Sequence, residues 1–174
     1  MGVAARGNFD LTQHSQHSGK SLDYLDPTTN TKYIPHVIEP SIGVDRLFLA
    51  LMTSAYAEEM VEGEKRTVMR FHPSVAPIKV AVFPLVNNNP DISSLARNLF
   101  QKLQQRYMCE FDTAGAIGRR YRRADEAGTP FCVTVDFDSL DKQTFTVRFR
   151  DSMKQLRMTT DELLVFLGKE IDGF

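Results

Sequence analysis

The sequence contains no tryptophan and only two cysteines among its 174 residues. Cys109 and Cys132 are too few for a disulfide framework or a four-cysteine zinc site. Both lie in apolar runs, which predicts buried, reduced thiols and a cytosol-like compartment. No run approaches the ~18 apolar residues that a membrane span needs. The N-terminal MGVAARGNFD lacks the apolar stretch of a signal peptide, so none is expected. There is no GxSxG, no Walker loop and no CxxC pair, and the glycines of AGAIG do not form GxGxxG; a dinucleotide fingerprint is therefore excluded. No internal repeat is visible. The formal net charge is only −1, which excludes bulk attraction to nucleic acid. A local basic patch remains open, because steering depends on where the charges sit.

What is present is enough apolar material for a core, 42% of residues. Residues 1–32 are polar and turn-rich, with HSGK and DPTTNT reading as loops. Ile34 to Ile38 alternates weakly between Pro35 and Pro40, a short strand at best. From Val44, the residues Leu47, Phe48, Leu51 and Ala55 fall at helical spacing, and the helix is expected to fade by Glu59. Residues 63–76 mix charge with proline and predict a linker. IKVAVFPLV reads as a strand buried on both faces. The next helix, capped by Asp91 or Ser93, carries a stripe of Ile92, Leu95, Ala96, Leu99 and Leu103. A short strand near Met108–Phe111, a second buried strand FCVTVDF, the alternating TFTVRFR and a closing helix capped near Thr160 complete the pattern. This order predicts an α/β fold, with a mixed five-stranded sheet and helices on both faces over 77–174.

Four arginines crowd into five residues within AGAIGRRYRRADEAGTPF. As a helix over Ala116–Ala127, this stretch turns Ile117, Tyr121, Ala124 and Gly128 inward. Arg119, Arg122 and Arg123 then project outward with Glu126, while Arg120 and Asp125 flank the buried stripe. Gly128 is placed to end the helix in a left-handed turn ahead of Pro130. Two readings stay open. The patch is either a solvated face with internal ion pairs, or a phosphate-binding face, since arginine forks match phosphate oxygens. Arg148 and Arg150, on one face of the alternating strand, suggest a second cationic row.

Other candidates carry less. His14 and His17 have ligand-like spacing but no third ligand, so no metal site is expected. His36 and His72 are isolated. In EPSIGVDR, Glu39 and Ser41 end a strand and Arg46 enters the first turn of a helix, whose N-terminus favours anions. That combination suits a nucleotide pocket; otherwise Asp45 and Arg46 are ordinary helix charges.

The stretch PHVIEPSIGVDRLFLAL resembles motif 3 of class II aminoacyl-tRNA synthetases, in the form carried by homodimeric glycyl-tRNA synthetases. RGNFDLTQHSQHSGKSLDYLD resembles the segment that precedes motif 3 there. APIKVAVFPLV, FDTAGAIGRRYRRADEAGTPFCVTVDFDSL and TFTVRFRDSMKQLRM resemble the anticodon-binding domain of the same enzymes. The resemblance implies a class II catalytic-domain fragment at 1–62, a linker at 63–76 and an anticodon-binding domain at 77–174. It implies ATP contact for Arg46 and a glycine pocket lined by Glu39 and Ser41. It also implies that Arg119, Arg122, Arg123, Arg148 and Arg150 lie in the domain that meets the anticodon stem-loop of a glycine tRNA. The parent enzyme would be a homodimer using ATP with magnesium. Motifs 1 and 2 are not found in this chain, so it is expected to be inactive alone and to hold no cofactor tightly, with a helix face left without its sheet. Localisation would be cytoplasmic or mitochondrial. The rival reading is a non-catalytic accessory protein of the same fold, such as the accessory subunit of mitochondrial DNA polymerase.

Overall fold

Strand pairing and local capping, rather than a core, organise the N-terminal residues. The computed structural model describes residues 1–173, in two units, Met1–Ala50 and Leu51–Phe174. The first unit holds β1 (Gly2–Gly7), α1 (Phe9–Ser18), the small hairpin β2 (Tyr24–Leu25) and β3 (Lys32–Tyr33), β4 (Val37–Ser41), and the start of α2 (Val44–Ala55). β1 and β4 pair antiparallel, with Gly2 opposite Ser41 and Ala5 opposite Ile38. Gly19 ends α1 in the left-handed region at φ 66°. The Asp26 carboxylate accepts from the Thr28 amide at 2.8 Å and closes the DPTTNT turn.

Within the turn-rich residues 1–32, DPTTNT is the expected loop, between β2 and β3, whereas HSGK begins in the last turn of α1, and β1 and α1 were not expected. The expected strand at Ile34–Ile38 lies further along, at Val37–Ser41. None of residues 1–50 is buried, so β1 and α1 carry no hydrophobic period that would announce them. Pro40 is tolerated because β4 belongs to a two-stranded sheet, where every strand is an edge.

In the second unit α2 stops at Ala55, not near Glu59, and the chain turns directly into β5 (Tyr56–Val61) and β6 (Glu64–Met69). Glu62 and Gly63 supply the positive φ values of this hairpin, 52° and 84°. The stretch expected as a linker thus contains a strand. Its inward positions are Arg66, Val68 and Met69, and the buried arginine masks the alternation in the sequence.

The sheet beyond it consists of β7 (Val80–Pro84), β8 (Cys109–Phe111), β9 (Phe131–Val135), β10 (Thr144–Phe149) and β11 (Gln155–Thr159), in spatial order β11-β10-β9-β7-β8. β7 runs parallel to β8 and to β9, while β10 runs antiparallel to β9 on one side and to β11 on the other. The expected mixed five-stranded sheet is therefore present. One face is covered by α3 (Pro90–Gln104) and α6 (Thr160–Leu167): Ile92, Ala96, Leu99, Leu103, Leu163 and Leu167 pack on Val80, Val82, Val133 and Val147. On the other face α4 (Ile117–Ala127) sets Ala124, Ile117 and Tyr121 against Ala81, Phe83 and Cys132.

Local chemistry fixes the helix ends. Asn89, not Asp91 or Ser93, caps α3, accepting from the Asp91 and Ile92 amides at 3.0 and 3.2 Å, with Pro90 in the first turn. Thr159 and Glu162 form a capping box on α6, one residue before the expected cap. A short helix not expected from sequence, α5 (Phe137–Lys142), is capped the same way by Asp136 and Ser139. Among the described residues no helix is long and apolar enough to cross a membrane, and no group of three or more His, Cys, Asp or Glu could hold a metal.

Candidate nucleic-acid interface

Helix α4 takes its orientation from two charged neighbours that sequence spacing placed at the margin of its buried stripe. Asp125 is fully buried and Arg120 is 2% exposed. The Asp125 carboxylate accepts from Arg148 Nη1 and Nη2, at 2.8 and 3.0 Å, and from Arg66 Nε at 2.9 Å. Arg66 also pairs with Glu59 and donates to the carbonyl of Arg150 at 2.6 Å. Burial acts to lower the Arg66 pKa, but the carboxylates of Asp125 and Glu59 raise it on balance, so it stays charged. Arg120 donates to the carbonyls of Pro84 and Gly115, at 2.5 and 2.7 Å, and so ties the turn after β7 to the loop leading into α4. Its pKa is lowered by burial.

Arg148 and Arg150 do not form the expected exposed row: Arg148 lies in β10 and Arg150 one residue past its end, and both are covered by α4 and the β5–β6 hairpin. Arg148 is 6% exposed; besides Asp125, it lies 4.8 Å over the Tyr121 ring. Arg150 is 2% exposed and donates to the carbonyls of Gly128 and Phe71 and to Asp151. Both guanidinium groups are engaged within the chain, so neither forms an exposed cationic row.

The outward face of α4 matches the expectation for Arg119, Arg122 and Arg123. Arg119 is exposed, and its guanidinium makes no hydrogen bond or ion pair among the described residues. Arg122 places Nη2 at 3.8 Å from Glu64 at the hairpin tip, while its Nη1 is shielded from solvent without a hydrogen-bond partner. Arg123 donates from Nε and Nη2 to Asp112 Oδ2, at 3.1 and 2.5 Å, and from Nη2 to the Ala114 carbonyl at 2.6 Å. Asp112 is largely buried: burial alone would raise its pKa, but the Ala114 amide and the Arg123 guanidinium hold it below the usual value. Neither Glu64 nor Asp112 is singled out by sequence. The Asp-Thr-Ala-Gly turn is the one signal for Asp112, whose Oδ1 accepts from the Ala114 amide at 2.7 Å.

Ser41 and Arg46 line one open cleft of about 620 Å³ with Ile42, Gly43 and Leu47. Glu39 shares a strand face with Ser41, two residues away, but its carboxylate lies 3.4 Å from Arg6 Nε. His14 and His17 sit on α1 without a third ligand. The two thiols are free, Cys132 buried and Cys109 half-buried.

The anticodon binding domain family matches residues 79–170. Over 98% of its length the chain is 53% identical to a glycine–tRNA ligase of Staphylococcus epidermidis, and 50% identical to one of Caldanaerobacter subterraneus. It spans only 36% of the length of each of those relatives. Two solved structures share its fold over part of the chain. One is the RNA binding domain of threonyl-tRNA synthetase from Cryptosporidium parvum, with a TM-score of 0.53 at 15% identity over 59% of this chain and 26% of that one. The other is prolyl-tRNA synthetase from the same organism, with a TM-score of 0.56 at 18% identity over 60% of this chain and 23% of that one. The resemblance to glycyl-tRNA synthetases read from the sequence is borne out, and relatives that are ligases do not favour the polymerase accessory reading. The chain belongs to the anticodon binding domain family.

Proposed function

We propose that this chain is the part of a glycine–tRNA ligase that grips the anticodon stem-loop of a glycine tRNA. The observation that carries the reading is the outward face of α4. Three arginines stand on one helix, locked to the sheet by the buried Asp125, in a chain whose net charge is only −1. Phosphate contacts would hold the RNA, and unstacked bases of the loop would supply recognition. Arg119, Arg122 and Arg123 face the RNA. Arg148 and Arg150 act from behind, by holding α4 in place. Near-neutrality elsewhere limits non-specific binding.

In the parent enzyme, Arg46 would contact ATP, with its magnesium, and Ser41 and Glu39 would line the glycine pocket. Glu39 would then exchange Arg6 for the substrate ammonium. The parent acts as a cytoplasmic homodimer in this reading.

The test is equilibrium binding of the full chain to a glycine tRNA transcript and to the same transcript with its anticodon changed. Preference for the unchanged transcript supports the reading. Equal, weak binding to both contradicts it and leaves α4 as a solvated charged face.

A further inference from the structure

The three outward arginines are not equivalent, because their donors are differently committed. A guanidinium needs two adjacent N–H groups to fork onto a phosphate or onto a guanine edge. Arg123 has already spent them. Its Nε–H and one Nη2 hydrogen go to Asp112 Oδ2, and the second Nη2 hydrogen goes to the Ala114 carbonyl. Only Nη1 and the two faces of the plane remain. The carboxylate that holds it is itself fixed, because the Ala114 amide donates to Asp112 Oδ1 at 2.7 Å. The guanidinium is therefore a rigid plate whose charge is neutralised at close range, while the side chain stays 47% exposed. Arg119 has no such partner, and Arg122 has only a distant one in Glu64.

We infer that Arg123 is a stacking platform for one unstacked base of the bound RNA loop, with Asp112 as the residue that positions it, while Arg119 and Arg122 carry the phosphate contacts. This rests on the anticodon-loop reading above and assigns a division of labour within it. A neutralised, edge-anchored guanidinium attracts a base through its face, and the interaction involves little counterion release. An unpaired arginine on a phosphate releases counterions and contributes to the salt dependence.

The experiment measures binding of the full-length chain to the glycine tRNA transcript and its anticodon-changed counterpart across a salt series. The variants are Arg123→Ala, Arg123→Lys, Asp112→Asn and Arg122→Ala. For Arg123→Ala, discrimination between the transcripts falls about three- to tenfold while the slope of log K against log salt is unchanged. Arg123→Lys fails in the same way, since lysine keeps the charge but has no plane. Asp112→Asn steepens the slope, because it releases the arginine's charge. Arg122→Ala makes the slope shallower by about 0.7. Rescue of affinity and slope by Arg123→Lys, or a slope that falls with Arg123→Ala, overturns the assignment and makes Arg123 a phosphate contact, with the anticodon reading intact. Equal binding of both transcripts by the unaltered chain removes the anticodon reading, and the platform with it.

Discussion

Arg148 lays both Nη atoms on the carboxylate of Asp125, at 2.8 and 3.0 Å, at a site where Asp125 is fully buried. A third donor, Arg66 Nε, reaches the same carboxylate at 2.9 Å from the β5–β6 hairpin. One aspartate thereby joins the outward helix, the central sheet and the hairpin. Replacing Asp125 by alanine leaves the buried Arg148 without its counter-charge and the buried Arg66 with Glu59 alone. The expected loss is about 3–5 kcal/mol, read as a lower urea midpoint. A loss below about 1 kcal/mol would mean that solvent reaches the cluster readily.

Gly128 is the turn on which that arrangement closes. It has φ +81°, and a Cβ added there would lie 2.4 Å from Phe71 Cδ2 and 2.9 Å from the Met69 carbonyl oxygen. Gly128→Ala is therefore expected to cost at least about 2 kcal/mol, from backbone strain and crowding together. Thermal unfolding checks this; an unchanged midpoint would contradict the close approach.

Asp136 gives the fold an acid-sensitive contact. Its carboxylate accepts from both Nη atoms of Arg157 at 2.8 Å and from Ser139, which hold its pKa down at about 2. The native value lies below the unfolded one of about 4, so the native state binds this proton less readily. The stabilisation is complete above about pH 4 and is lost as pH falls through about 2. Arg157 is about a third exposed, and solvent screening limits the contribution to about 1 kcal/mol. Asp136→Asn should flatten the stability curve between about pH 4 and pH 2, as measured by urea titrations at stepped pH.

The thiols should be inert in the native state. Burial pushes Cys132 up to about 12 and Cys109 up to about 11. A thiol reagent at about pH 8 is expected to react with Cys109 slowly, and with Cys132 only on unfolding. Reaction of Cys132 at the rate of a free thiol would contradict its burial.

The sheet was legible because IKVAVFPLV and FCVTVDF are continuous apolar runs and α3 keeps its stripe from Ile92 to Leu103. The outward set Arg119, Arg122 and Arg123 was legible from helical spacing alone. The hairpin was not. One of its fully inward residues is Arg66, and a charged residue reads as surface unless its partner, here Asp125, is known. The same physics misplaced Arg148 and Arg150: nothing local to Arg148 in β10, or to Arg150 just past its end, tells that α4 and the hairpin cover them. β1 and α1 hide for the opposite reason: with no buried position in residues 2–18, that stretch shows no apolar period.

The most direct measurement is a ribonuclease footprint of a glycine tRNA transcript bound by the full chain and by its Arg122→Ala variant. The account predicts protection confined to the anticodon stem-loop, weakened in the variant at equal protein concentration. Protection spread evenly along the tRNA, or unchanged by Arg122→Ala, would contradict the claim that the outward face of α4 holds the anticodon loop.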